Sequence, residues 1–231
     1  MREHFVHEMT NLKQQVATLS ADAERALDLA IKSVIKRDDE IAHRVLEGDI
    51  LIDMEEIKIE SSCLEILALY QPVASDLRTI ITFLKINNEI ERAADFAVKI
   101  AERAISMNKY DPEKVEQWDF FQMANIARQM LRRSLDAMVY HDTIIAYDVI
   151  KRDDELDELH KNNYNLAEDM IIKHPAEAGY YMACLTVSSC LERIGDIATN
   201  ICEDVVYLQQ GRIVRHVRKL ANNSECTKNE S

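Results

Sequence analysis

Asp49 with Asp53, Glu91 with Asp95, Asp153 with Asp157, and Glu192 with Asp196 form four acidic pairs, the members of each pair four residues apart. On a helix that spacing stacks both carboxylates on one face. Ionised carboxylates held close together repel and raise one another's pKa unless a cation neutralises them. An all-oxygen donor set suits magnesium, manganese, calcium or iron, and two facing pairs have room for more than one ion. Beyond Asp196 the same spacing continues into Asn200 and Asp204, whereas beyond Asp95 it continues into Lys99 and Arg103. The expected metal ligands are therefore Asp49, Asp53, Glu91, Asp95, Asp153, Asp157, Glu192, Asp196 and Asn200. The second set is expected to bind more tightly, since Asn200 and Asp204 extend it while Lys99 and Arg103 would act as internal cations in the first.

Two prolines organise these pairs. Asp53 and Glu91 each stand 19 residues from Pro72, and Asp49 and Asp95 each stand 23. Around Pro175 the separations are 18 and 17 for Asp157 and Glu192, and 22 and 21 for Asp153 and Asp196. If each proline marks a tight turn between antiparallel helices, all four carboxylates of a set reach the same height. Any one acidic pair on a helix is ordinarily a solvated face. The repeated mirror is what favours a built cation site.

The rest of the chain supplies the helices. Phe5, Met9, Leu12, Val16, Leu19, Ala23, Ala26 and Ala30 alternate steps of four and three, the signature of one long helix ending near Lys36. Asp38 is an N-cap for a second helix with its seam at Ile41, Val45, Gly48, Ile52, Ile59 and Ile66. A third, with seam residues Phe83 to Ala104, ends before Pro112. The pattern then restarts: Asp142, Ile145, Val149, Arg152 and Leu156 follow Asp38, Ile41, Val45, Gly48 and Ile52 by 104 residues. The last helix repeats the third with an offset of 101, Val187 matching Ile86 and Val205 matching Ala104. The fold expected is all-α, a tandem duplication of a three-helix bundle, with residues 1–110 and 115–215 as the two units. Gly211 is the expected C-cap of the last helix, and 216–231 reads as a polar, disordered tail.

Composition narrows the function. Four glycines and three prolines in 231 residues are too few for a strand-rich fold. A formal net charge of −13, from 41 acidic against 28 basic residues, disfavours nucleic acid and anionic lipid and favours cations or basic proteins. Cys63, Cys184, Cys190, Cys202 and Cys226 are odd in number and include no CxxC, as expected of reduced thiols. No apolar leader or long apolar run is visible, so a soluble intracellular protein is expected.

Other motifs are weaker. Glu40 and His43 form an ExxH of the di-iron type, but the repeat equivalents are Ile144 and Tyr147. A carboxylate-ligated metal enzyme or storage protein is the competing reading. His160 is an auxiliary ligand or, more simply, a surface histidine. Gly195 allows either close helix packing or backbone approach to a ligand. Arg212, Arg215, His216, Arg218 and Lys219 form a basic docking patch or a charge complement to a helix end. No residue reads as a nucleophile or general base, and no phosphate loop is present.

LERIGDIATNICEDVVYLQQG (191–211) and its weaker echo IERAADFAVKIAERA (90–104) resemble the paired signature helices of the PhoU family of phosphate-transport accessory proteins. The resemblance extends over nearly the whole chain. It implies tandem three-helix bundles whose E(D)xxxD motifs bind multinuclear metal, here through the pairs already named. The first copy departs from the motif at Ala94 and Lys99. It further implies a cytoplasmic, often dimeric negative regulator of the phosphate-starvation regulon. Such a regulator couples the ATPase subunit of a phosphate ABC transporter to a membrane sensor histidine kinase, without enzymatic activity, membrane insertion or nucleic-acid binding. The implied cofactor is iron, manganese or magnesium.

Overall fold

The computed structural model describes residues 2–110 and 118–210. Six helices follow in order: α1 (Arg2–Lys36), α2 (Asp39–Tyr70), α3 (Ala74–Met107), α4 (Phe120–Tyr140), α5 (Thr143–Lys173) and α6 (Ala178–Gln210). A single 3-10 turn, Pro175–Glu177, links α5 to α6. Five helices have 31 to 35 residues; α4, with 21, is shorter than the repeat predicts.

The duplication is visible in the backbone itself. Asp38 Oδ1 accepts hydrogen bonds from the N–H groups of Glu40 and Ile41 at 2.9 and 3.1 Å. Asp142 Oδ1 accepts from Ile144 and Ile145 at 2.8 and 3.1 Å. Each N-cap satisfies two amides that no helical carbonyl can reach. The residue before each cap, Arg37 or His141, takes a left-handed conformation with φ of 53° or 52°. Neither is glycine, so each conformation costs energy that the cap and the packing offset. Arg37 also donates to the carbonyls of Met107 and Tyr110, tying the α1–α2 turn to the end of α3.

Within each unit the helices pack on one another, α1 with α2 and α3, and α4 with α5 and α6; the units then join through α3 against α6 and α1 against α4. The two bundles share one continuous hydrophobic core. This sharing explains where a single-seam reading falls short. α1 buries Leu27, Ile31 and Val34 in addition to its expected stripe. α3 buries Ala94, Phe96 and Ala101 beside its seam, and α6 buries Cys190, Ile197 and Cys202 beside its own. A helix enclosed on several sides is apolar on several sides. Small residues such as Ala93, Ala97, Ala101 and Ala198 let these central helices approach closely.

α3 and α6 run antiparallel. Lys85 Nζ lies 3.3 Å from Asp204 Oδ1 at one end, and the charges of Lys99 and Arg103 act on Cys190 farther along. Asp204 is only 3 % exposed. The side chain expected to extend the second acidic set is therefore committed to a cation of the other unit, a buried pairing that a lone carboxylate would need. Cys63, Cys184, Cys190 and Cys202 are free and buried, and burial pushes the thiols of Cys63 and Cys184 up to about 12 and that of Cys190 to about 11. They are inert core residues. Cys226, the Gly211 cap, the basic segment 212–219, the tail 216–231 and most of the expected junction near Pro112 lie outside the described residues.

Candidate functional site

Antiparallel pairing of α2 and α3 about Pro72 brings the first acidic set together. Asp49 is held above the usual carboxylate range by burial first and then by the charges of Asp53 and Asp95. Glu91 is raised by burial and then by Asp95, Asp53, Glu56 and Asp49. The four residues expected from the mirror are thus electrostatic neighbours across the groove, on two helices.

A fifth carboxylate, Glu56, belongs to the same cluster, and the spacing of four passed over it. Asn87 of α3, fully buried, donates its amide N–H to Glu56 Oε1 at 2.9 Å and to the Glu56 carbonyl at 3.0 Å. Asn87 Oδ1 is buried with no hydrogen-bond partner. An orphaned buried acceptor on the residue that holds Glu56, itself a neighbour of the carboxylate cluster, fits a site completed by a cation. The signal was in the sequence: Glu56 follows Asp53 by three, the other spacing that shares a helix face.

The expected internal cations are elsewhere. Lys99 Nζ sits 4.8 Å from the centroid of Phe96, Arg193 stacks on the same ring at 5.7 Å, and Arg103 pairs with Glu102. Lys99 and Arg103 project toward the α3–α6 seam because the fold places α6 there. The part of the ranking that rested on Lys99 and Arg103 as competing cations therefore falls away.

In the second unit Glu192 is pushed up to about 6, by burial first and then by Asp196 and Asp157, with Arg193 opposing. Asp153 sits beside Gly195: a Cβ added there would lie 3.3 Å from Asp153 Oδ1 and 2.5 Å from Leu156 Cδ2. Asn200, partly buried, stands one turn beyond Asp196. His160 occupies the repeat position of Glu56, and Ser188 that of Asn87. His160 Nδ1 and Ser188 Oγ are 3.0 Å apart, and Asn163 Nδ2 donates to the same hydroxyl at 3.1 Å. His160 is thus partly buried and fixed, not a free surface histidine. Its pKa is lowered, chiefly by burial, with Asp157 raising it and Arg193 lowering it.

The two clusters are therefore unequal in a different sense from that expected. The first is all carboxylate, with Asn87 alongside; the second has an imidazole and a nearby guanidinium. Glu40 and His43 lie in the first two turns of α2, near its N-cap and before Asp49, and form no second copy. Among the described residues, no group of three or more His, Cys, Asp and Glu side chains stands in a ready-made ligating arrangement. The carboxylates share a neighbourhood without yet converging on one point.

Gly195 has a packing role that can be tested. Alanine there drives a methyl group into Leu156, an overpacking cost of about 1–3 kcal/mol, against a gain of about 1 kcal/mol in helix propensity. The repeat equivalent, Ala94, is already alanine and buried. Gly195→Ala is expected to lower stability by about 1 kcal/mol in urea unfolding. A more stable variant would show that Leu156 yields freely and that α5 and α6 do not need the glycine.

Comparison with known proteins agrees with this architecture. The family description "PhoU domain" matches twice, at residues 16–104 and 120–205. The chain is 33 % identical over 216 residues to the phosphate-specific transport system accessory protein PhoU homolog of Clostridium acetobutylicum, covering 92 % of this chain and 97 % of that one. It is 35 % identical to the homolog of Aquifex aeolicus, covering 90 % and 94 %, and 30 % identical to the Escherichia coli K12 protein, covering 92 % and 88 %. The crystal structure of PhoU from Pseudomonas aeruginosa superposes with a TM-score of 0.87 at 29 % identity, over 90 % of this chain and all of that one. The phosphate transport system regulatory protein PhoU from Streptococcus pneumoniae gives 0.81 at 26 %, over 91 % and 99 %. Two matched repeats, six helices in the order the duplication requires and relatives aligned nearly end to end make this chain a member of the PhoU family.

Proposed function

We propose that this protein is an accessory regulator of phosphate-specific transport, acting by binding partners and not by catalysis. The observation that carries this reading is near full-length identity of 30 % or more to proteins named for that role, with both repeats matched. In this reading it represses the phosphate-starvation regulon when phosphate is plentiful. It couples the ATPase subunit of the phosphate ABC transporter to a sensor histidine kinase, in the cytoplasm and as a homodimer. Among the described residues no helix is long and apolar enough to cross a membrane, which fits an accessory role beside membrane components.

Metal belongs to the same proposal. Asp49, Asp53, Glu91 and Asp95, with Glu56 beside them, would hold cations between α2 and α3. Asp153, Asp157, Glu192, Asp196 and Asn200 would do so between α5 and α6. Iron, manganese and magnesium suit the donors of the first set, and the imidazole of His160 makes the second more hospitable to iron or manganese than to magnesium. A bound cation would supply positive charge that neutralises the clustered carboxylates. The protein's own residues set the rest: Asn87 positions Glu56, and Gly195 lets α5 carry Asp153 up against α6.

Deleting the gene is expected to leave a phosphate-starvation reporter active in phosphate-rich medium, and restoring this chain to silence it. Normal repression in the deletion strain would remove the regulatory reading.

A further inference from the structure

α2 is apolar on two opposite faces. One carries Ile52, Ile59, Cys63 and Ile66 into the core. On the other, Ile50, Met54, Ile57, Ser61, Leu64 and Ala68 alternate steps of four and three, the spacing of a coiled-coil seam. All six are exposed, with Ile50 at 64 %, Met54 at 63 %, Ile57 at 59 % and Leu64 at 54 %. The stripe runs about 27 Å along the helix. α2 itself packs on α1 and α3, which leaves this face outward.

The duplication provides an internal control. The repeat positions on α5 are Asp154, Glu158, Lys161, Asn165 and Glu168 for Ile50 to Leu64, all exposed and all polar. The same helix at the same place in the fold therefore needs no outer seam for stability. An unshielded apolar stripe of this size marks an interaction surface.

Charge selects the occupant. Toward α3 the stripe is bordered by Asp49, Asp53, Glu56 and Glu60, and on its other side by Glu47 and Glu65, with Lys58 the one cation between them. A second copy paired about a two-fold axis would either run antiparallel, laying the acidic border of one α2 against that of the other, or run parallel, setting that border against Glu47 and Glu65 of the second copy. An anionic membrane would meet the same repulsion. We propose that the outer face of α2 is a docking surface for an amphipathic helix of another protein, whose apolar seam is flanked by lysine and arginine. Beside the stripe, the open groove lined by Gln14, Thr18, Leu51 and Lys58 offers such a helix a second wall. The inference goes beyond the regulatory reading and stands without it, because it depends neither on metal nor on which protein supplies the helix.

The test uses a fluorescent 21-residue synthetic helix with leucines at the seam and lysines on both flanks. Titration with the full chain in EDTA is followed by anisotropy, so that metal occupancy plays no part. Binding is expected to weaken at least tenfold in Met54→Glu/Ile57→Glu and to be unchanged in Lys161→Glu on the α5 counterpart. The same peptide with glutamate flanks, or with its leucines scrambled, is expected not to bind. Equal binding of lysine- and glutamate-flanked peptides, or indifference to the α2 substitutions, would overturn the proposal. So would sedimentation showing a dimer of the wild-type chain that Ile57→Glu dissociates, since the occupant would then be a second copy.

Discussion

Manganese added to chelator-treated protein at about a hundred times its dissociation constant should raise the melting temperature by about 5–10 °C. That corresponds to about 2.7 kcal/mol of linkage stabilisation in a chain of this size. The sign of a companion measurement makes the test sharp. In the first cluster, burial and neighbouring carboxylates raise both Asp49 and Glu91. Asp49→Asn/Asp95→Asn removes part of that repulsion, so the metal-free variant should melt above metal-free wild type, by about 0.5–1 kcal/mol for partly exposed charges. In manganese the order should reverse, because the variant has lost two anionic ligands. A merely solvated acidic face predicts no metal-dependent reversal. Asp157→Asn/Glu192→Gln should forfeit less of the manganese effect, since Arg193 already offsets part of the charge there.

This expectation departs from what the sequence suggested, and the departure has one cause. Spacing along a helix shows which residues share a face, but not what the face meets. The pairs, the prolines and the Asp38 and Asp142 caps are local features, and the folded chain keeps them where the repeat puts them. Asp204 and Lys99 share their helix faces with the site residues, yet α3 and α6 pack directly on each other, so the former answers Lys85 and the latter covers Phe96. Only the contact between units could reveal that, and it joins residues as far apart as Lys85 and Asp204, 119 positions along the chain. Glu56 and His160 were legible in part, because they sit three residues beyond Asp53 and Asp157; their partners Asn87 and Ser188 are neutral and on the facing helix. Buried asparagine and serine carry no acidic pattern.

Glu192 gives the second large effect, in pH. Its carboxyl is pushed up to about 6 from an ordinary value near 4.5. Below pH 4.5 it is protonated in folded and unfolded protein alike and its burial costs little. As pH rises through 6 the folded carboxyl must ionise against Asp196 and Asp157, and that share of stability is lost, about 1 kcal/mol once solvent screening is allowed for. His141 and His160 act in the opposite direction: burial lowers both, so their contribution is present above pH 6.5 and lost as pH falls. The informative quantity is therefore the difference between wild type and Glu192→Gln, in chelator, measured by urea unfolding from pH 4.5 to 7.5. The glutamine variant should gain on wild type across the window from 4.5 to 6 and hold a constant lead above it. Saturating manganese should abolish that lead or invert it, because a ligated carboxylate is stabilised in its charged form. A lead that ignores both pH and metal would show that Glu192 is limited by packing and not by charge.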